Sequence, residues 1–331
     1  MSRIMSPRAE AIAEAARILQ AGGLVGLPTE TVYGLAANAL DGQAVAKIYA
    51  AKGRPSFNPL IIHCHSFEQA AELVEMNADA RAAAEAFWPG PLTLILPRKA
   101  GCAVSDLAGA GLPTLAVRIP RHDAALAVLK ACGVPLAAPS ANKSGALSAT
   151  TPQHVAEAFG DEVALVLAAG ACTVGLESTV LDLSGDAPAV LRPGGVTAEE
   201  ISEVLGKAVL YDHSDPDAPR SPGQLLKHYA PSIPVRMNAV DLEPGEALLA
   251  FGHVKFMGIR GGGAAKDLPE ESLKNLSEGR DLHEAAANLF SMMRTLDRPD
   301  HKGIAVMAVP DTGLGVAIND RLRRAAEGSA R

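Results

Sequence analysis

The chain has 331 residues, of which 48% are apolar, 4% aromatic and 20% charged, and its formal net charge is −7. This length suits two domains, and the apolar fraction supports a full core, which excludes a disordered chain. The acidic balance and the few stacking rings argue against a surface that holds nucleic acid by counterion release or base stacking, so any RNA role is expected to be weak, local or carried by a partner.

The four cysteines (Cys64, Cys102, Cys132, Cys172) are far apart and form no CxxC pair, so neither a disulfide framework nor a zinc site is expected. No stretch approaches the roughly 18 apolar residues of a membrane span, and residues 1–23 lack the apolar core of a signal peptide. The expectation is a cytoplasmic protein with no membrane contact.

In chain order, Ser6 and Pro7 read as the start of a helix that carries Ile12, Ala15, Ala16 and Leu19 on one stripe and stops at Gly22-Gly23. A strand follows over 24–27, then a helix over 41–51 that ends at Gly53. A strand over 60–63 precedes a helix over 66–74, with Ser66 and Gln69 spaced as a capping box. Further strands are predicted over 92–96, 115–119, 134–138, 163–167, 179–183 and 190–192, with helices over 123–130 and 152–158. Strands alternating with helices imply an α/β domain, placed over residues 7–200. Residues 201–234 are rich in Pro, Asp and Ser and read as a linker. A smaller α/β domain follows over 235–331, with strands at 247–251 and 304–309, an amphipathic helix over 282–296 and a last helix over 317–326.

The polar motifs gather at strand ends, where open α/β sheets place ligands. Pro28-Thr-Glu-Thr-Val-Tyr-Gly34 follows the first of these strands and holds two hydroxyls and a carboxylate within three residues. In Lys52-Gly-Arg54, two cations flank a glycine and can serve one anionic group, with Asn58 and His63 downstream. Arg118 is a charge within an apolar strand, which needs either a ligand carboxylate or an internal acid. Ala138-Pro-Ser-Ala-Asn-Lys-Ser-Gly145 offers small residues and backbone N–H groups, without the spacing of a Walker A loop. Glu177-Ser-Thr leads into one strand and Arg192 leaves another. Trp88-Pro-Gly-Pro-Leu-Thr93 reads as a packing turn, and His65, His122 and His154 as surface or cap residues.

PTETVYGL, KGRPSFNPLIIH, FWPGPLT, LAVRIP, APSANKSG, ESTVLDL and LRPGG together resemble the YrdC-like family of L-threonylcarbamoyladenylate synthases. SPGQLLKHYAP and AINDRLRRAA are similar to the linker and the last helix of its long, two-domain form. The resemblance implies a YrdC-like twisted, open, mixed sheet with flanking helices, joined by a long linker to a smaller Rossmann-like α/β domain. It implies a nucleotidyltransferase that condenses L-threonine, bicarbonate and ATP to threonylcarbamoyl-AMP and pyrophosphate. The product would pass to a separate tRNA threonylcarbamoyltransferase. By the same resemblance Thr31, His63, Arg118, Ala138 and Ser178 would hold threonine. Lys52, Arg54, Asn58, Thr114, Ser140, Asn142, Ser148 and Arg192 would hold ATP, and Tyr229 would close over it. Lys52 and Arg54 would be the catalytic cations, and Mg²⁺ would be bound mainly through phosphates. Two other readings compete. A double-stranded RNA-binding module is opposed by the acidic charge. A carbamoyl-transfer domain using carbamoyl phosphate would need Cys-rich modules that this sequence lacks.

Overall fold

The structure is a computed structural model that describes residues 3–212, 228–255 and 257–329. Of these, 3–144, 148–173 and 177–212 form one compact unit, and 145–147, 174–176, 228–255 and 257–329 form a second. No described helix is long and apolar enough to cross a membrane.

The first unit opens with β1 (Arg3–Met5), α1 (Ala9–Gln20), β2 (Val25–Leu27), β3 (Gly34–Asn38) and α2 (Gly42–Lys52). It continues through β4 (Ile61–His63), α3 (Phe67–Leu73), α4 (Ala78–Phe87), β5 (Leu92–Pro97), β6 (Thr114–Arg118), α5 (Asp123–Cys132) and β7 (Leu136–Ala137). It closes with α6 (Pro152–Phe159), β8 (Leu165–Leu167), β9 (Thr179–Asp182), β10 (Ala189–Arg192), α7 (Ala198–Leu205) and β11 (Leu210–Tyr211). One mixed sheet joins its strands in the order β1-β8-β2-β3-β7-β4-β6-β5-β9-β10-β11.

Side chains alternate along each strand, so the sheet sorts its residues between two faces. Leu35, Ala37, Ile62, Leu94, Leu96, Leu115 and Val117 enter the main core with residues of α2, α3 and α4. On the other face, Val25, Leu27 and Ala36 pack under α1 and α5. Farther along that sheet, Ile61, Ile95, Ala116, Val180 and Leu191 form a smaller apolar cluster.

Several local expectations need correction. α1 begins at Ala9 with Arg8 as its N-cap and no side-chain cap bond, not at Ser6-Pro7. The preceding residues instead form β1, which pairs in parallel with β8, 162 residues away by the Arg3↔Leu165 register. β3, α4 and α7 were not anticipated, although Asn77 and Thr197 cap the two helices in the expected manner. The capping box at Ser66 forms only half: Ser66 accepts from Gln69 N, while Gln69 Oε1 accepts from His65 N. α7 and β11 carry the first unit's ordered structure past residue 200, into the stretch expected to begin the linker.

In the second unit, β12 (Val235–Arg236), β13 (Glu246–Ala250), β14 (Leu273–Asn275) and β15 (Gly303–Val306) form a parallel sheet in the order β12-β15-β13-β14. Helices α8 (Leu282–Leu296) and α9 (Leu314–Ser329) complete it. Asp281 starts α8 by accepting from His283 N and Glu284 N, and the stripe Ala285, Leu289, Met293 and Leu296 is buried. The 221–227 portion of the linker motif lies outside the described residues.

Candidate active site

Strand pairing alone assembles the first part of the site. β4 and β6 run parallel with His63 opposite Arg118, β5 is antiparallel to β6, and β9 is parallel to β5. His63, Arg118, Thr93 and Ser178 each lie two residues from a member of the Ile61, Ala116, Ile95 and Val180 cluster. They therefore share its face and gather at one end of the four strands. All four are buried. A bulge between Val190 and Arg192 turns Arg192 onto Ser178, whose carbonyl accepts from Nε at 3.2 Å and Nη2 at 2.8 Å. Ser178 Oγ lies 2.7 Å from Thr93 Oγ1. The backbone of Ala138 reaches the same strands through its N–H to the Ile61 carbonyl, 3.1 Å.

Arg118 is held on three sides. Nε donates to the Gly90 carbonyl at 3.1 Å, Nη1 donates to Thr31 Oγ1 at 2.9 Å, and Nη2 lies 2.8 Å from Glu30 Oε1. The internal acid left open by the sequence is therefore Glu30. Burial alone would raise the Glu30 carboxyl, but the Arg118 charge and nearby N–H groups bring it below its ordinary value. The loop presenting Glu30 and Thr31 is pinned locally. Thr29 Oγ1 donates to the Val32 carbonyl at 2.6 Å, and Tyr33 OH donates to the Gly170 carbonyl at 2.8 Å. Burial raises the Tyr33 phenol to about 12, so it remains a neutral anchor. His63, beside Arg118, is pushed down to about 3 by burial and then by the Arg118 charge, so its imidazole is neutral at physiological pH.

The second part of the site is cationic. Lys52 ends α2, and Gly53 at φ 61° turns the chain so that Arg54 follows at once. Lys52 Nζ donates to the carbonyls of Ser140 at 2.6 Å and Asn142 at 2.5 Å, tying the 138–145 loop to α2. Arg54 donates to the carbonyls of Asn58 and Pro59 at 3.3 and 3.0 Å. Both cations are buried, and burial followed by the Arg54 charge holds the Lys52 ammonium well below the usual lysine value. Asn58 is fully buried, yet among the described residues neither atom of its amide has a hydrogen-bond partner. A buried amide next to Arg54 and without a partner among the described residues marks a candidate polar site.

Ser148 donates to Glu177 in a buried pair. Gly194 follows the Arg192-Pro turn and lies against the same segment. A Cβ there would sit 2.3 Å from Thr179 N and 2.4 Å from the Glu177 carbonyl, so only glycine fits. Thr114 lies at the far end of β6, opposite Pro97, about 13 Å along the strand from Arg118. Tyr229 belongs to the second unit. It is buried at φ 60° against His228 at 4.0 Å and Phe290 at 5.5 Å, with the Arg321 guanidinium 5.2 Å from its ring centre. The reading of Trp88–Thr93 as packing is incomplete, because Gly90 and Thr93 contact Arg118 and Ser178. A polar residue closing an apolar turn was the available signal. The partnership of Glu30 with Arg118 had none.

A mixed α/β unit with a buried guanidinium at its strand ends and two buried cations near a buried amide has the features of a ligand-binding α/β protein. Comparison with known proteins narrows that class. Residues 17–194 match the family described as "Telomere recombination", and residues 196–327 match "Threonylcarbamoyl-AMP synthase, C-terminal domain". A threonylcarbamoyl-AMP synthase of Pyrococcus abyssi is 41% identical over 321 residues, covering 94% of this chain and 92% of the relative. One from Bacillus subtilis is 40% identical over 327 residues, covering 96% and 93%. The crystal structure of P. abyssi Sua5 complexed with L-threonine is similar with a TM-score of 0.87 at 37% identity, covering 99% of this chain and 98% of that one. The chain belongs to the threonylcarbamoyl-AMP synthase family, in its two-domain form.

Proposed function

We propose that this protein condenses L-threonine, bicarbonate and ATP to L-threonylcarbamoyl-AMP, releasing pyrophosphate and water, in the cytoplasm. The observation that carries the reading is the buried Arg118, forked toward Thr31 beside a neutral His63, on the sheet face that also holds Ser178. Arg118 would pair the amino-acid carboxylate, with Thr31, His63, Ser178 and the Ala138 backbone around it. Lys52, Arg54, Asn58, Thr114, Ser140, Asn142, Ser148 and Arg192 would hold ATP.

The chemistry needs placement and charge stabilisation rather than a covalent enzyme intermediate. The threonine amine attacks the carbon of bicarbonate. The C–N bond forms as the C–OH bond breaks, and the departing hydroxide takes the amine proton and leaves as water, giving the carbamate. A carbamate oxygen then attacks the α-phosphorus, and the bond to the bridging oxygen breaks. Lys52 and Arg54 would neutralise the charge that builds on departing pyrophosphate, an effect strengthened by their burial. Glu177 and Ser148 present hard oxygen donors, and the Glu177 charge acts on Lys52, so this pair fits an ion carried by the phosphates. Mg²⁺ held there would offset phosphate charge. The product is a mixed anhydride suited to a transferase that modifies tRNA.

The direct test is pyrophosphate release from ATP, measured with and without bicarbonate and with threonine or serine. Release dependent on both threonine and bicarbonate is expected. Release that ignores either one would refute the assignment. Arg54→Ala is expected to lower the rate about 100-fold or more while the protein stays folded.

A further inference from the structure

Arg118 does not stand alone as a cation. Its Nη2 lies 2.8 Å from Glu30 Oε1, and both side chains are at least nine-tenths buried. The Glu30 carboxylate is held chiefly by the Arg118 charge, with nearby N–H groups assisting. The charged and titratable groups around this spot can be summed. Arg118 carries +1 and Glu30 −1, so the pair itself has no net charge. His63 beside Arg118 is neutral, burial holds His122 near Glu30 below its ordinary value, and the next guanidinium, Arg192, is turned onto the Ser178 carbonyl.

A solitary buried guanidinium would favour any carboxylate. A buried pair presents a positive and a negative pole a few ångströms apart and gains little from a ligand that is a net anion. Such a ligand must be desolvated while its charge faces Glu30 as well as Arg118. A zwitterion matches both poles at once.

We infer that Glu30 is a specificity-determining residue: by neutralising the Arg118 pocket, it makes the site take a zwitterionic α-amino acid in preference to a simple carboxylate of the same size. Glu30 acts through Arg118 and through its field, and it takes no part in bond making. This rests on the proposal that Arg118 receives the substrate carboxylate.

The test compares L-threonine with 3-hydroxybutanoate, the same skeleton without the amine, by calorimetric titration of the full-length protein and of Glu30→Gln. The wild-type protein is expected to prefer threonine by about tenfold or more. Glu30→Gln, which leaves Arg118 uncompensated, is expected to narrow that preference by about tenfold, with weaker threonine binding and stronger binding of the anion. Glu30→Asp, which retains the charge, is expected to restore most of the preference.

An unchanged preference in Glu30→Gln, or an equal loss for both ligands, overturns the inference and leaves the synthase reading intact. A wild-type protein that binds both ligands within threefold also overturns it, and needs no variant. A wild-type protein that binds threonine not at all, while folded, overturns the synthase reading and this inference with it. Thermal unfolding of each variant separates a lost site from a lost fold.

Discussion

Lys52→Met is the most informative single change, because Lys52 serves the fold and the proposed chemistry in opposite senses. Its ammonium is buried and, among the described residues, bonded only to two backbone carbonyls, those of Ser140 and Asn142. Removing it forfeits two charge-assisted hydrogen bonds, each contributing about 1.5–3 kcal/mol. It also relieves the burial of an ammonium, an effective penalty of several kcal/mol. The two nearly offset, so folding stability is expected to move by no more than about 2 kcal/mol in either direction. Nucleotide binding has no such offset. Lys52 has three donors and two are committed, leaving one for a phosphate oxygen. Losing one buried charge contact of about 2–4 kcal/mol should weaken ATP binding about 30- to 900-fold. Titration calorimetry with a non-hydrolysable ATP analogue, alongside thermal unfolding, measures both quantities. ATP affinity within threefold of wild type would refute the reasoning. So would a loss of affinity that merely follows unfolding. The depressed Lys52 pKa adds a second signature: a bound polyanion raises it, so nucleotide binding should take up a proton and weaken as pH rises above the free-protein value.

Two further outcomes are expected. His63 is neutral in the fold, with a value of about 3, but protonates near 6.5 when unfolded, so the unfolded chain binds the extra proton between those values. Stability should therefore fall on acidification below about pH 6.5, by up to about 1.4 kcal/mol per unit from this group. Glu30 adds to the loss below its unfolded value near 4.5, because its folded value is depressed. Urea unfolding midpoints from pH 7.5 to 4 check this, and a flat profile would contradict the buried, neutral histidine. Gly194→Ala forces a Cβ against Thr179 N and the Glu177 carbonyl and should cost about 1–3 kcal/mol of stability. It should also weaken threonine binding by displacing Ser178. An alanine variant that melts and binds as wild type would show that the contact is not constrained.

Much of the local structure follows from periodicity and caps. α8 has the bounds its apolar stripe predicts, and Ser66 caps a helix where expected. α4 escaped notice because its alanines form no sharp stripe, although Asn77 gave a cap signal. Arg3–Met5 could not be read as a strand. Three residues carry no period, and its partner, β8, comes only after six other strands of the chain.

The residue types of the site, and their positions at strand ends, were determined by the sequence itself. Which residues meet was decided only by the tertiary structure. Sheet order is set by long-range pairing and shared burial, to which a local window is blind. The sequence showed that Arg118 must have a counter-charge. The contact between β4 and β6, and the loop held by Tyr33, determined that the partner is Glu30, 88 residues earlier. A buried charge obliges the chain to find an opposite one, but only three-dimensional packing chooses which.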